Sequence, residues 1–417
     1  MESIQICSIE KKGNMVDVFF DVSDGMKRYF LPDHHFFLEY TFDITDVPNS
    51  VLIVPALLNL LPLSWLTDSV IWVDEIDFEF YENIYRLKEA FRELYPDYKF
   101  GGSLIAARQV HNRVEPKRKA LQLFTGGIDA TATLIRIREL KPILLNTNGW
   151  YKESVSEVNE VYDADFSAIS QIAEHNGLEA YFVKSNFANF IIANQVNKEF
   201  GKEVKNSWWF GFQHSLAFLG CAMVAAYHFR VSSVFIASSY TFGQYVVCVS
   251  DPRIDTCIRC AGISTVHDGY ELSRQDKVKL IVQMQTEKHQ TYSLRVCSFN
   301  THNCCKCEKC LRSMLALASE GAKDLSQFGF NMEKSLLETV HEFIETSAME
   351  LDTSHAVFWK DIVLRMGENF EILQYKDVYE YLKDIDFAVA RKKAIWTHYK
   401  RDYKDIIRRK IFGKDIR

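Results

Sequence analysis

The sequence predicts an α/β protein: a parallel sheet with helices on both faces, an α+β domain before it and a helical extension after it. Three observations carry that prediction. Short apolar runs alternate with helical stretches from Lys119 to Ser239, which is the spacing of βαβ units. The first 115 residues open instead on paired alternating segments, and after residue 325 the pattern is mainly helical. The expected domains are therefore 1–115, 116–325 and 326–417.

SIQICSI (3–9) and MVDVFFDV (15–22) alternate apolar and polar residues around KKGN, a hairpin pattern. A strand, SVIWV (69–73), and a helix, FYENIYRLKEAFREL (80–94), follow. Nothing in this region points to chemistry. The alternation proper runs ALQLFT (120–125) then DATATLIRIREL (129–140), PILLN (142–146) then DADFSAISQIAEHNG (163–177), AYFVKS (180–185) then HSLAFLGCAMVAAYHF (214–229), and SVFIASS (233–239). Ligands of open parallel sheets bind at the carboxyl ends of the strands. The loops after LQLF, ILLN, YFVK and VFIA are therefore expected to share one site. Helical patterns close the chain in MEKSLLETVHEFIE (332–345) and in residues 375–412.

Composition sets the class. With 417 residues, 47% hydrophobic and 25% charged, the chain is of ordinary globular make-up and can bury a core without disulfides. MESIQICSIEKKG lacks the basic start and apolar run of a signal peptide. VLIVPALLNLLPLSWL (51–66) is broken by Pro55, Asn59 and Pro62 and is short for a membrane span. A soluble cytoplasmic protein with no transmembrane segment is expected, and in that reducing compartment clustered cysteines read as metal ligands or redox groups. The net charge is −6, but residues 391–417 carry +8 and the rest −14.

FTGGIDATATL (124–134) leaves a predicted strand, turns at Gly126 and Gly127, and enters a helix with Asp129 in its first turn. Such a turn presents backbone N–H groups and the positive end of the helix dipole to an anion. It lacks both the Lys of a Walker loop and the third glycine of a dinucleotide fingerprint. The plain alternative is a tight strand-to-helix turn with Asp129 as a helix-start carboxylate.

CSFNTHNCCKCEKCLR (297–312) holds five of the ten cysteines. Two-residue spacing lets Cys304, Cys307 and Cys310 converge on one ion, and Cys297 supplies a fourth thiolate for a closed, structural Zn²⁺ site. Cys305 falls outside that spacing. An iron–sulfur cluster accepts the same four thiolates, and unligated cysteines are the third reading.

The loop resembles that of the PP-loop ATP pyrophosphatases, usually SGGxDS, through Thr125, Gly126, Gly127 and Asp129, with Ala130 where the final Ser stands. Within that group, Cys297 followed by Cys304, Cys307 and Cys310 and then Leu311–Arg312 resembles the zinc site of the 7-cyano-7-deazaguanine synthase family. The two motifs span residues 119–315. The resemblance implies an adenine nucleotide alpha-hydrolase-like sheet of the five-stranded type, with ATP, Mg²⁺ and Zn²⁺ as cofactors. It places Phe124, Thr125, Gly126, Gly127, Asp129 and Thr131 at the nucleotide, with Thr125 and Asp129 in catalysis. The implied reaction adenylates a carboxylate for attack by ammonia or an amine, and zinc would pin a segment closing the pocket. SWWFGFQHSLAFL (207–219) and IASSYTFGQY (236–245) do not match the synthase's own substrate motifs, which implies a relative acting on another substrate.

Other residues admit two readings. Cys257 and Cys260 form CIRC, either ordinary loop thiols or the sulfur-handling pair of an RNA-thiolating PP-loop enzyme. His214 opens an apolar helix, where histidines more often cap or pack than act as acid or base. His267, Asp268 and Gly269 precede a helix offering Arg274 and Lys277 to polyphosphate, though such charges are usually solvated. Trp396, Tyr399, Tyr403, Ile407 and Ile411 give the basic tail an apolar stripe. That stripe packs on its own domain or meets a protein partner, RNA or an anionic membrane surface. A non-catalytic nucleotide-binding subunit of a larger system is the remaining alternative, and homodimerisation is left open.

Overall fold

Pairing begins at the predicted hairpin, where β1 (Ser3–Lys12) and β2 (Met15–Val22) run antiparallel across a turn that holds Gly13 at φ +60°. The computed structural model describes residues 2–32, 34–150, 160–288, 290, 292–298 and 300–412. The other strands are β3 (His35–Tyr40), β4 (Val70–Asp77), β5 (Ser103–Val110), β6 (Arg118–Leu123), β7 (Ile143–Asn148), β8 (Ala180–Ser185), β9 (Val231–Ala237), β10 (Arg259–Cys260) and β11 (Ile263–Asp268). All eleven form one mixed sheet in the order β10-β11-β9-β6-β7-β8-β3-β2-β1-β4-β5.

Five neighbours in this sheet, β8, β7, β6, β9 and β11, are mutually parallel. β6 lies at the centre and is the first of them in the chain. The chain adds strands to one side of it and then to the other, so the order reverses at β6. A crevice for a ligand opens at such a switch point, outside the carboxyl ends of the strands.

The sheet does not end where the sequence places a domain edge. β3 joins β8 antiparallel, with Leu38, Glu39 and Tyr40 opposite Ser185, Lys184 and Val183. The amino-terminal strands thus extend the sheet rather than forming a separate one, and among the described residues it has eleven strands rather than five. The compact units are residues 1–274 and 275–417, whereas the sequence places edges at 115 and 325. The physical reason is the β3–β8 ladder, reinforced by the Tyr40 hydroxyl, which donates to the Cys221 carbonyl at 2.9 Å from a fully buried position.

Both faces of the parallel strands are covered. Leu121, Leu123, Ile143 and Leu145 join one core with the helix His214–His228. Successive residues of a strand point to opposite faces. Ala120, Gln122 and Leu144 are also buried, and Gln122 Nε2 donates to Ala130 O in the helix Ile128–Ile137. Most of the apolar run of the sequence is the helix Val54–Thr67, buried from Val54 to Leu66. Its Asn59 is tolerated because Oδ1 accepts from Gln213 Nε2 and Nδ2 donates to Pro55 O, both at 2.9 Å. Among the described residues one helix, Trp209–His228, is long and apolar enough to cross a membrane, but 78% of its apolar window is buried inside the protein. That burial is the mark of a core helix.

The described residues of the unit 275–417 are mainly helical, as the pattern predicts after residue 325. The helix Leu336–Thr346 starts at Ser335 because of a capping box: Ser335 Oγ accepts from Glu338 N, and Glu338 Oε2 accepts from Ser335 N. Trp359 is buried, stacked on Phe343 with centroids 5.4 Å apart and edge-on to Phe387. The tail is a helix, Phe387–Phe412, with Trp396 and Tyr399 exposed. The side chains of Tyr403, Ile407 and Ile411, also named from the sequence, lie outside the described residues.

Candidate functional site

The strand β6 ends against its neighbour, with Phe124 N donating to Leu145 O at 2.9 Å and Phe124 O accepting from Asn146 Nδ2 at 3.0 Å. The chain then reverses through Gly126 at φ +74°, a value that favours glycine. Gly127 is the N-cap of the helix Ile128–Ile137, whose ladder begins with Thr131 N donating to Gly127 O. The amides of the first turn precede that ladder, and such amides at the dipole's positive end favour an anion.

Gly127 has φ −76°, which any residue adopts. A Cβ built there would meet only Thr125 Oγ1, at the ordinary contact distance of 3.5 Å. The fold itself therefore makes no demand for glycine at 127, whereas a ligand pressed onto the backbone would. Gly127→Ala is expected to cost under about 1 kcal/mol, the small loss of a poorer N-cap, and, where the turn cradles a nucleotide phosphate, to weaken ATP binding at least tenfold. Thermal melting with and without ATP checks both halves. A variant that melts normally and binds ATP as the parent does would remove the phosphate from this turn.

Asp129 sits at the carboxyl edge beside Arg274, its Oδ2 2.9 Å from Nη1, with side chains 17% and 16% exposed. The sequence marked each residue separately, and the structure brings them together across 145 positions. The helix is fixed from β11 as well: Asp268 Oδ2 accepts from Thr133 Oγ1 at 2.8 Å and meets Arg136 Nε at 3.1 Å. Of the other predicted contacts, Thr125 is exposed at the turn, whereas Phe124 and Thr131 are buried side chains. Phe124 belongs to the wall of the core, and its backbone groups are spent on β7. Ala130 is buried too, so the missing hydroxyl is missing from the inner face of the helix.

His214 and His267 lie at this same carboxyl edge, at the start of the helix leading to β9 and near the end of β11. His267 Nδ1 is 2.7 Å from Asp255 Oδ2. Asp255 escaped the sequence reading because a lone Asp between two turns carries no spacing signal. The CIRC pair is placed differently. Cys260 pairs with Ile263 at the amino end of β11, fully buried near Asp77, while Cys257 Sγ donates back to Arg253 O. They are not presented together at the edge where the glycine turn lies.

The second unit holds the four predicted cysteines. Sγ of Cys297, Cys304, Cys307 and Cys310 all lie within 4.8 Å of one another. A zinc ion bonded to four sulfurs at about 2.3 Å sets them about 3.8 Å apart, and Cys304 and Cys310 are separated by 3.9 Å. The set could hold a metal such as zinc. Its geometry comes from the helix Glu308–Ser319, which has Cys307 as N-cap and Cys310 in its first turn, and from Asn303. Asn303 Oδ1 accepts from Val296 N and Cys297 N, while Nδ2 donates to Leu294 O and Gly329 O. Hydrogen bonding from Cys310 holds the Cys307 thiol well below the usual thiol range despite its burial. Cys305 stands apart, at φ +58°, with Sγ donating to Asn303 O. No disulfide engages any of the ten cysteines.

Comparison with known proteins finds no match to the chain among family models, curated proteins or solved structures.

Proposed function

We propose that the chain is an ATP-dependent enzyme that adenylates a carboxylate for attack by ammonia or an amine, a divergent PP-loop ligase of the 7-cyano-7-deazaguanine synthase type. The observation that carries this reading is the glycine turn at the carboxyl end of β6. It lies at the switch point of a parallel block and runs into a helix whose first turn pairs Asp129 with Arg274. The order of the five parallel strands supports the nucleotide-binding architecture that the resemblance implies.

A carboxylate is a poor electrophile at neutral pH, and transfer of AMP with loss of pyrophosphate makes it reactive. The amides around Gly126 and Gly127 would hold the departing pyrophosphate and Thr125 would hydrogen-bond it. Arg274 would take up charge on the phosphates, and Asp129 would orient either the turn or the Mg²⁺ that accompanies ATP. In the second unit the four thiolates would hold zinc in a folding role, since a four-sulfur set leaves no open position. Ten cysteines without a disulfide fit a reducing compartment such as the cytoplasm.

Two alternatives fare differently. The thiolating reading is weakened by the burial of Cys260 at the amino end of β11. The nucleotide-binding subunit keeps the same turn and differs only in lacking turnover. The test is AMP and pyrophosphate release by the purified protein with ATP, Mg²⁺, ammonia and a panel of carboxylates. AMP formed with one acid supports the ligase; ATP bound without AMP from any acid supports the subunit.

A further inference from the structure

At the carboxyl edge of the parallel block, outside the glycine turn, a thiol and two imidazoles form one network. The π-helical turn Trp209–Gln213 brings the Trp209 carbonyl under His214, where it accepts both the His214 backbone N–H and, at 2.9 Å, the ring Nδ1. A carbonyl only accepts, so Nδ1 carries the proton and Nε2 presents a lone pair. That lone pair lies 3.8 Å from Cys248 Sγ, within reach of an S–H donor. The next residues lock the pair, with Ser215 Oγ donating to Val249 O at 3.0 Å. The Ser250 amide lies against the Cys248 sulfur, and Ser250 Oγ donates to Asp255 Oδ2 at 3.1 Å. Asp255 also accepts from His267, whose side chain is 1% exposed and whose Nε2 has no hydrogen-bond partner among the described residues.

Nucleophile, base and a third group orienting the base is the arrangement that activates thiols for covalent catalysis. We propose that Cys248 is an acyl-accepting nucleophile with His214 as its general base, taking the acyl group of an activated carboxylate as a thioester that an amine then removes. The source of the acyl group rests on the adenylation reading; the reactivity of the thiol does not.

The first step forms the bond from sulfur to the acyl carbon, breaks the bond from that carbon to the phosphate oxygen, and releases AMP. The thiol proton passes to His214 Nε2. In the second step the amine nitrogen bonds to the acyl carbon, the carbon–sulfur bond breaks, and the thiolate recovers its proton from His214 as the amine's proton leaves to solvent. Cys248 is 3% exposed, and burial pushes its thiol up to about 12 while also lowering the affinity of His214 for a proton. The resting pair is therefore a neutral thiol and a neutral imidazole, and the proton moves only as the new bond forms. A thioester keeps the acyl group on the protein, away from water, until the amine arrives.

The test uses p-nitrophenyl acetate, a small activated ester that needs no ATP. The full-length protein is expected to release a burst of about one p-nitrophenolate per chain, with the acetyl group mapping to Cys248 by peptide mass. Cys248→Ser and Cys248→Ala lose that label, and His214→Gln slows the burst about 100-fold. Acetyl on other cysteines with none on Cys248, or an unchanged burst in His214→Gln, overturns the proposal. AMP release from ATP then separates the two ideas. Release with full turnover in Cys248→Ala leaves the ligase standing and removes the thioester; a Cys248 burst with no AMP release from any acid keeps the nucleophile and removes the adenylation.

Discussion

Cys307→Ser is expected to empty the four-cysteine site and to make the protein insoluble in the same step. Serine keeps the volume but is a poor ligand for a soft site, and three thiolates hold zinc far less tightly than four. Structural zinc contributes roughly 10–16 kcal/mol to the folding of small domains, as much as the whole stability of a typical domain. The Asn303 knot and the start of the helix Glu308–Ser319 are built on the same loop, so a metal held by the four cysteines would fix both and its loss would loosen them. Zinc content by elemental analysis should fall from about one ion per chain to under about 0.1. Cys305→Ser is the control and should keep both metal and solubility, since Cys305 turns its sulfur toward Asn303 O. A soluble, metal-free and active Cys307→Ser protein would overturn the folding role.

Under the proposed adenylation, Asp129→Ala is expected to abolish AMP release and also to cost about 3 kcal/mol, because it removes the carboxylate that Arg274 meets in a largely buried position. The two effects are separable. Adding Arg274→Met removes the guanidinium that the pair was built around and should restore most of the stability, as measured by urea denaturation. It should not restore turnover, since the proposed site then lacks both the carboxylate and the guanidinium that would meet the phosphates. Recovery of AMP release together with stability in the double variant would make Asp129 a structural residue only.

The legible parts of this chain were those written in short spacings. CxxCxxC places three sulfurs on one turn and the start of one helix, and the structure gathers them with Cys297 within 4.8 Å. The hairpin at KKGN and the turn at Gly126–Gly127 were likewise local, each needing a glycine at positive φ. What escaped was long-range. HFFLEY (35–40) is apolar almost throughout and shows no alternation, because as β3 it is buried within the sheet. Its pairing with residues 183–185 leaves no trace in either segment alone. SLIAARQV (103–110) is an edge strand with no fully buried residue, and its adjacent apolar residues show no clean period-two alternation. His214 was visible as a residue but not as half of a pair, since Cys248 lies 34 positions away on a loop without a pattern.

The β3–β8 junction also dictates an order of events during synthesis. The hydrogen-bonding edge of β3 must wait for residues 183–185 before it is satisfied, while its other edge pairs at once with β2. On a ribosome adding about 5–20 residues per second, that strand spends about 7–30 s as an unpaired apolar edge, the kind that recruits other chains. Expression of residues 1–115 alone would make this interval permanent. Such a fragment should aggregate, whereas one ending at residue 274 includes the partner strand and should remain in solution.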